Sequence, residues 1–284
     1  MKTIRRPALL GVLAIAWLVG SVSSLALQEG AAVARLALTP AQMEDFLLHA
    51  QIGKTKGTPK GVTDARRATL SDGRITHDAE IQAVDIHLSV FEPITGPKEL
   101  NFIDSYRYNI AAYRVARLLG LGDVPMSVER RVEGKPAAVT WWIDDFQMDE
   151  NERGKKQGAS GTSTRAAGQI HIWRVFTALI EDTDANGGNL LWTTDGKMWM
   201  IDHTRAFRLD TKPKDPKPLQ RCERGLLEAM RRLTIEAVTR EVGNSLTKFE
   251  IETLIARRDE IVKLFEGMIA KRGEGPILYT VAQP

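Results

Sequence analysis

The sequence predicts an α+β chain of two lobes, and three observations carry that prediction. Short alternating runs with turn signals fill the first half. Longer apolar-periodic stretches fill the second half. The densest cluster of polar residues falls past the join, which lies near Asp144. A cleft between the lobes is the expected place for a ligand. The 284 residues are 43% hydrophobic and 26% charged, which suits one large or two intimate domains and excludes a disordered or collagen-like chain. A single cysteine, Cys222, rules out an internal disulfide and any multi-cysteine zinc site. The net charge of +3 is too mild for a nucleic-acid footprint. It also comes from one place: without Lys2, Arg5 and Arg6, 36 cationic side chains stand against 36 acidic ones. No nucleic-acid partner is expected.

Those three cations precede an uncharged stretch from Pro7 to Leu27 that closes through Ser24-Leu25-Ala26. A basic start, an apolar middle and a small-residue exit is the layout of a secretory signal. A run of about twenty residues also suits an uncleaved membrane anchor, and a buried core helix is a third reading. The first two set residues 1–30 outside the fold. They also export the rest of the chain, because the basic flank stays cytoplasmic. The domain is then periplasmic or extracellular, either free or anchored through residues 7–27, and a lone cysteine agrees with export. The folded part is expected as a first lobe over 36–144 and a second over 145–284.

Each element has its own signal. Thr39-Pro40 reads as an N-cap with proline at the first helical position, opening a short helix through Phe46-Leu47-Leu48. Residues 53–61, with three glycines and three lysines, read as a loop. Strands come next over Ala68–Leu70 and Ala79–Asp85, parted by a Ser71-Asp72-Gly73 turn. A helix runs from about Ser105 to Leu119 and stops at Gly120. Val124–Val132 and Ala137–Ile143 form two strands joined across Glu133-Gly134-Lys135. Residues 149–168 are polar and read as an exposed excursion. The helix from about Ile170 to Ile180 is apolar nearly all round and therefore buried. From Leu219 onward, Leu226, Leu227, Met230 and Leu233 repeat at helical spacing, as do Phe249, Ile251, Leu254 and Ile255.

The segment that carries chemistry is Glu181-Asp182-Thr183-Asp184-Ala185-Asn186-Gly187-Gly188-Asn189, succeeded by two apolar runs around Asp195-Gly196 and then Asp202-His203. Asp-Gly is a strong two-residue hairpin signal. A two-residue turn there sets Trp192 opposite Trp199 and Asn189 opposite Asp202. An amide oxygen and a carboxylate then stand side by side with Asp184 just upstream. Such oxygen ligands suit Mg²⁺ or Mn²⁺, which need few protein ligands when a phosphate supplies the rest. Asp182-x-Asp184-x-Asn186-Gly187 also matches the opening of a calcium loop. Position twelve of that loop is Thr193, however, where a bidentate Glu is required.

An Asp, an Asn five residues on, and an Asp closing the next hairpin resembles the catalytic core of the protein-kinase-like superfamily. His203-Thr204-Arg205 after the last Asp, and Asp184-Ala185-Asn186 at the first, are similar to the atypical branch. That branch includes phosphatidylinositol-kinase-like, HipA-type and secretory-pathway casein kinases, and the nearest likeness is to its bacterial members. The resemblance implies a two-lobed kinase-like fold, with Asp184 as catalytic base and with Asn189 and Asp202 as metal ligands. It further implies ATP or another nucleotide as donor, Mg or Mn as cofactor, and a hydroxyl-bearing acceptor on a protein, lipid or small molecule. Gly57 and Gly61 of the glycine-rich loop then cover the phosphates, with Lys54, Lys56 and Lys60 adding charge. Trp142 offers a face to the adenine.

One part of the pattern is missing. A kinase pairs a strand Lys with a helix Glu, whereas this chain has Gln82 on the strand and Asn109 on the inward helix face. Two amides can hydrogen-bond each other, but they leave a triphosphate without its positive partner unless Lys98 or a loop lysine serves. The sequence supports two functions: a metal-dependent phosphotransferase, or an exported pseudokinase acting as a binding or scaffold module.

Overall fold

The computed structural model describes residues 38–57, 65–93, 98–157 and 163–281. Residues 1–37, which carry the export expectation, lie outside these, as do Lys60 and Gly61. Among the described residues, no helix is long and apolar enough to cross a membrane.

Helix α1 (Pro40–His49) starts as its sequence dictates. Thr39 caps it in a reciprocal box with Gln42, and proline sits in the first turn. Strand β1 (Gln51–Gly57) comes directly after it, so the first half of the expected glycine-rich loop is a strand. It pairs antiparallel with β2 (Arg66–Ser71), which places Gly57 at the free end of that pair, opposite Arg66. β2 pairs with β3 (Thr76–Gln82) across a turn held by Asp72, whose carboxylate accepts from the N–H groups of Arg74 and Ile75.

The apolar run beyond β3 does not extend that strand. The chain breaks at residues 83–84 and forms a separate hairpin, β4 (Asp85–Phe91) with β5 (Glu99–Ser105). Its Ile86, Leu88, Val90 and Leu100 side chains are exposed. Helix α2 (Tyr106–Leu118) is capped by the Ser105 hydroxyl and ends before the left-handed Gly120. Strands β6 (Ser127–Val132) and β7 (Lys135–Trp141) meet across a tight Glu133-Gly134 turn. The first half is thus a five-stranded antiparallel sheet in the order β1-β2-β3-β7-β6. Its core comprises Phe46, Leu47, Leu70, Ile81, Val128 and Val139.

Past residues 142–145 the chain is mostly helical. A short strand β8 (Phe146–Asp149) leads into α3 (Glu150–Gln157), so the expected exposed excursion contains a helix, with Arg153 buried against Trp192. Helix α4 (Thr164–Ile180) begins at its Ser163 cap, earlier than periodicity indicated. Its apolar circumference packs in the larger core with Leu226, Met230, Leu254, Ile261 and Phe265. These come from α5 (Arg224–Arg232) and α7 (Lys248–Arg272), and α6 (Ile235–Val242) adds Val238 and Val242. Helix α2 joins the two halves. Tyr108, Ala112 and Val115 enter the larger core, while Tyr106 and Ile110 pack on Ala138 of the sheet.

Candidate active site

Strands β9 (Leu190–Thr193) and β10 (Met198–Met200) form the expected hairpin, one residue out of the expected register. Met198 faces Trp192, Trp199 faces Leu191 and Met200 faces Leu190, so the two tryptophans are not a pair. The loop has three residues, Thr194-Asp195-Gly196. Gly196 is left-handed (φ 76°), and the Asp195 carboxylate accepts from the Thr193 hydroxyl and the Lys197 N–H. The Ile201 N–H donates to the Asn189 carbonyl (3.0 Å). Asn189 therefore stands opposite Ile201, and Asp202 is the next residue along.

The loop before β9 is wired from its own side chains. Helix α4 ends with Glu181 in the left-handed region (φ 46°), which turns the chain into Asp182-Thr183-Asp184. The Asp184 carbonyl accepts from Asn186 Nδ2 (2.8 Å) and Asn189 Nδ2 (3.2 Å). Asn186 Oδ1 accepts from the Gly188 N–H (2.8 Å), which caps a 3-10 turn over Gly187–Asn189. Because Asn189 uses its amide nitrogen this way, its Oδ1 is the atom left for a ligand. The Asp184 N–H donates to Asp182 Oδ1 (3.0 Å), and Asp182 Oδ2 meets His203 Nδ1 (2.9 Å) in a fully buried pair. Thr183 donates through both N–H and hydroxyl to the Arg205 carbonyl. Residues 182–184 and 202–205 are thus stitched together.

Asp202 has a left-handed backbone (φ 57°), a conformation that costs a non-glycine residue about 1–2 kcal/mol and persists only where its surroundings impose it. The Thr204 hydroxyl donates to its Oδ1 (3.2 Å). Burial raises the Asp202 carboxyl above its ordinary range, against the opposing pull of His203. Glu80, on β3, lines the same small cavity as Asp202, and burial together with the Asp202 charge pushes it up to about 7. Asp184 is also raised, chiefly by burial and in spite of the Arg205 guanidinium 3.9 Å away. Buried Asp104 on β5 adds its charge against both aspartates. Arg205 is held in turn by Glu99, which also pairs with Arg208.

The other expected ligands lie nearer the sheet. Asn109 Nδ2 donates to Gln82 Oε1 (2.6 Å), so the two amides do bond each other, and Asn109 Oδ1 accepts from the His203 N–H (2.7 Å). Trp142 carries the Arg67 guanidinium on one face of its ring, 4.4 Å from the centroid. Gly57 is exposed, and Lys98 pairs with Glu92 on the β4–β5 hairpin. Sequence reasoning missed Glu80, Asp104 and Asp182 as members of the cluster and gave His203 no partner. The Asp182-x-Asp184 and Asp202-His203 adjacencies were the available signals. Among the described residues, no three His, Cys, Asp or Glu side chains gather closely enough to hold a metal unaided.

In sequence the chain matches no family model and no curated protein. In structure it is similar to a hydra Fam20 protein solved with sugar, at a TM-score of 0.62 and 12% identity, covering 86% of this chain and 93% of that one. It is also similar to a Golgi casein kinase at 0.61 and 12%, covering 84% and 80%. The chain has a kinase-like fold. Within that fold the antiparallel sheet is the kinase-like N-lobe and the helical half its C-lobe. The stitched segments 182–189 and 202–205 belong to the C-lobe.

Proposed function

We propose that this kinase-like domain is a metal-dependent phosphotransferase that moves the terminal phosphoryl group of a nucleotide to a hydroxyl. One observation supports the reading: a single hydrogen-bonded unit ties together the segments that carry Asp184, Asn189 and Asp202, and it leaves Asn189 Oδ1 and the Asp202 carboxylate as candidate cation ligands. A buried carboxylate beside a second one, Glu80, is costly unless a positive charge joins them. That donor set fits Mg²⁺ or Mn²⁺, held by Asn189 and Asp202. Two protein ligands are enough when phosphate oxygens complete the shell.

When bound, the cation offsets phosphate charge and orients the transferred group. The chain's own residues supply the rest. Asp184, raised by burial, accepts the acceptor's proton as the acceptor oxygen bonds to phosphorus and the bond to the nucleoside diphosphate oxygen breaks. Arg205, beside Asp184, holds the carboxylate until an acceptor takes its place. The acceptor is a hydroxyl on a protein, lipid or small molecule, and the sugar in the hydra neighbour puts sugar hydroxyls among the first to test. Residues 1–30 are proposed to export the domain, cleaved or as an anchor.

The pseudokinase reading draws on a different observation. The N-lobe strand that should offer a lysine offers Gln82, bonded to Asn109, and Glu80, an acidic group in the same cavity as Asp202. A domain built this way could serve as a scaffold. Transfer of labelled γ-phosphate from ATP with Mn²⁺, scored on the protein itself and on added acceptors, separates the two. The phosphotransferase reading expects incorporation that falls at least about a hundredfold in Asp184→Asn. Nucleotide binding with no transfer to any acceptor leaves the scaffold standing.

A further inference from the structure

Asp202 holds a conformation that its own backbone disfavours, and the residue after it is gripped from two sides. The His203 N–H is taken by Asn109 Oδ1 at 2.7 Å, and the His203 ring is taken by Asp182 at 2.9 Å. Asn109 is itself buried, and its amide nitrogen donates to Gln82 on β3. One continuous line of hydrogen bonds therefore runs from the sheet through α2 into the Asp202 segment. It continues by way of His203 to Asp182 and on to the Asp184 N–H. All its inner members are buried, so water does not substitute for any link. The line occupies the positions where a Lys–Glu pair is expected, yet it carries no charge on the strand or on α2.

We propose that Asn109 is a positioning residue: a buried amide that ties the N-lobe sheet to the Asp202 segment and holds Asp202 in its left-handed conformation. This deepens the phosphotransferase reading and rests on it for its consequence, since a displaced Asp202 cannot meet a cation held by Asn189. In an ordinary kinase-like site one lysine both joins strand to helix and touches phosphate. Here the two tasks are separated. Gln82 and Asn109 keep the coupling, and phosphate neutralisation falls to the cation and to other side chains.

Two variants separate positioning from bulk stability. Asn109→Asp, whose buried carboxyl beside Glu80 and Asp202 stays protonated, accepts from the His203 N–H through its carbonyl oxygen and donates its hydroxyl to Gln82 Oε1, whereas Asn109→Leu keeps the volume and loses both bonds. Hydrogen exchange of the protein without added metal or nucleotide is read over a peptide spanning residues 202–206 and, as control, over α4 and α7. The proposal expects at least tenfold faster exchange in the 202–206 peptide for Asn109→Leu. Exchange within threefold of the parent is expected for Asn109→Asp, with both controls unmoved. Unchanged exchange in Asn109→Leu overturns it. Where Asn109→Leu fails to fold, Gln82→Met carries the test. It releases Asn109 from β3, and exchange rising less than threefold overturns the proposal. Binding of Mn²⁺ with a non-hydrolysable ATP analogue is then measured on the same proteins. If the parent does not bind while the exchange pattern holds, the phosphotransferase reading fails and the positioning role survives.

Discussion

Glu80 is the side chain that most constrains how a nucleotide could sit. Its carboxyl is pushed up to about 7 from an ordinary 4.5, by burial first and the Asp202 charge second. An acid raised on folding holds its proton more tightly in the native state. The stability it contributes is complete below about 4.5 and is lost as pH rises through about 7. Glu80→Gln removes that loss. In chelator at pH 8 its Tm should exceed the parent's by roughly 3–8 °C, and at pH 5 the gap should shrink to about a third or less. Differential scanning calorimetry at the two pH values checks this, and an equal gap at both would refute the account of Glu80. The same residue shows what a sequence leaves unread. Gln82 and Asn109 were legible as a departure from pattern because strand and helix periodicity set their facing. Glu80 lies two positions before Gln82 on the same side of β3, but its burial depends on Asp202 arriving from over a hundred residues away.

Elements show the same division. Helices α1, α2, α5 and α7 follow from caps and apolar spacing, because those signals are local. The β9–β10 register does not follow, since Asp195-Gly196 permits both a two-residue and a three-residue loop. Contacts beyond the hairpin favour the longer loop: Trp192 Nε1 donates to Glu150 (2.8 Å), the Met198 N–H donates to Gln169 Oε1 (2.8 Å), and Lys197 Nζ donates to the Gly122 carbonyl (2.7 Å). The β4–β5 hairpin alternates clearly in Ile86, Leu88 and Val90, yet alternation signals a core-facing side, and here that face is turned outward. The tie between α7 and the candidate site was equally hidden. Arg257 is fully buried, and its Nε donates to the Leu179 carbonyl (2.8 Å). Its Nη1 serves the carbonyls of Arg208 (2.9 Å) and Asp210, and Glu181 lies 3.9 Å from Nε. Arg257→Met strands those acceptors and should cost about 2–4 kcal/mol, lowering Tm by about 5–12 °C. Urea denaturation should show the loss with an unchanged m-value, and a loss below about 1 kcal/mol would contradict this role.

At the scale of the whole molecule, the fold sets two polar segments of the C-lobe against a sheet that supplies no lysine at the expected position. Helix α2 packs in both halves and carries the amide that reaches from one to the other. The Asp104 charge acts on both Asp184 and Asp202, and the Asp202 charge acts on Glu80, with the Arg205 guanidinium beside Asp184. Such an excess of negative charge repels a bare triphosphate and draws in a metal-bound one. Nucleotide without a divalent cation should therefore leave the domain's Tm unchanged within about 1 °C. The most direct test of the proposed metal-dependent site is a thermal melt with Mn²⁺ plus a non-hydrolysable ATP analogue, run on the parent and on Asp202→Ala. At about a hundred times Kd, the stabilisation of about 2.7 kcal/mol corresponds to a rise of roughly 5–10 °C in the parent and no rise in Asp202→Ala. A parent that does not respond to any nucleotide with Mn²⁺ or Mg²⁺, or an Asp202→Ala variant that responds as the parent does, would contradict the account.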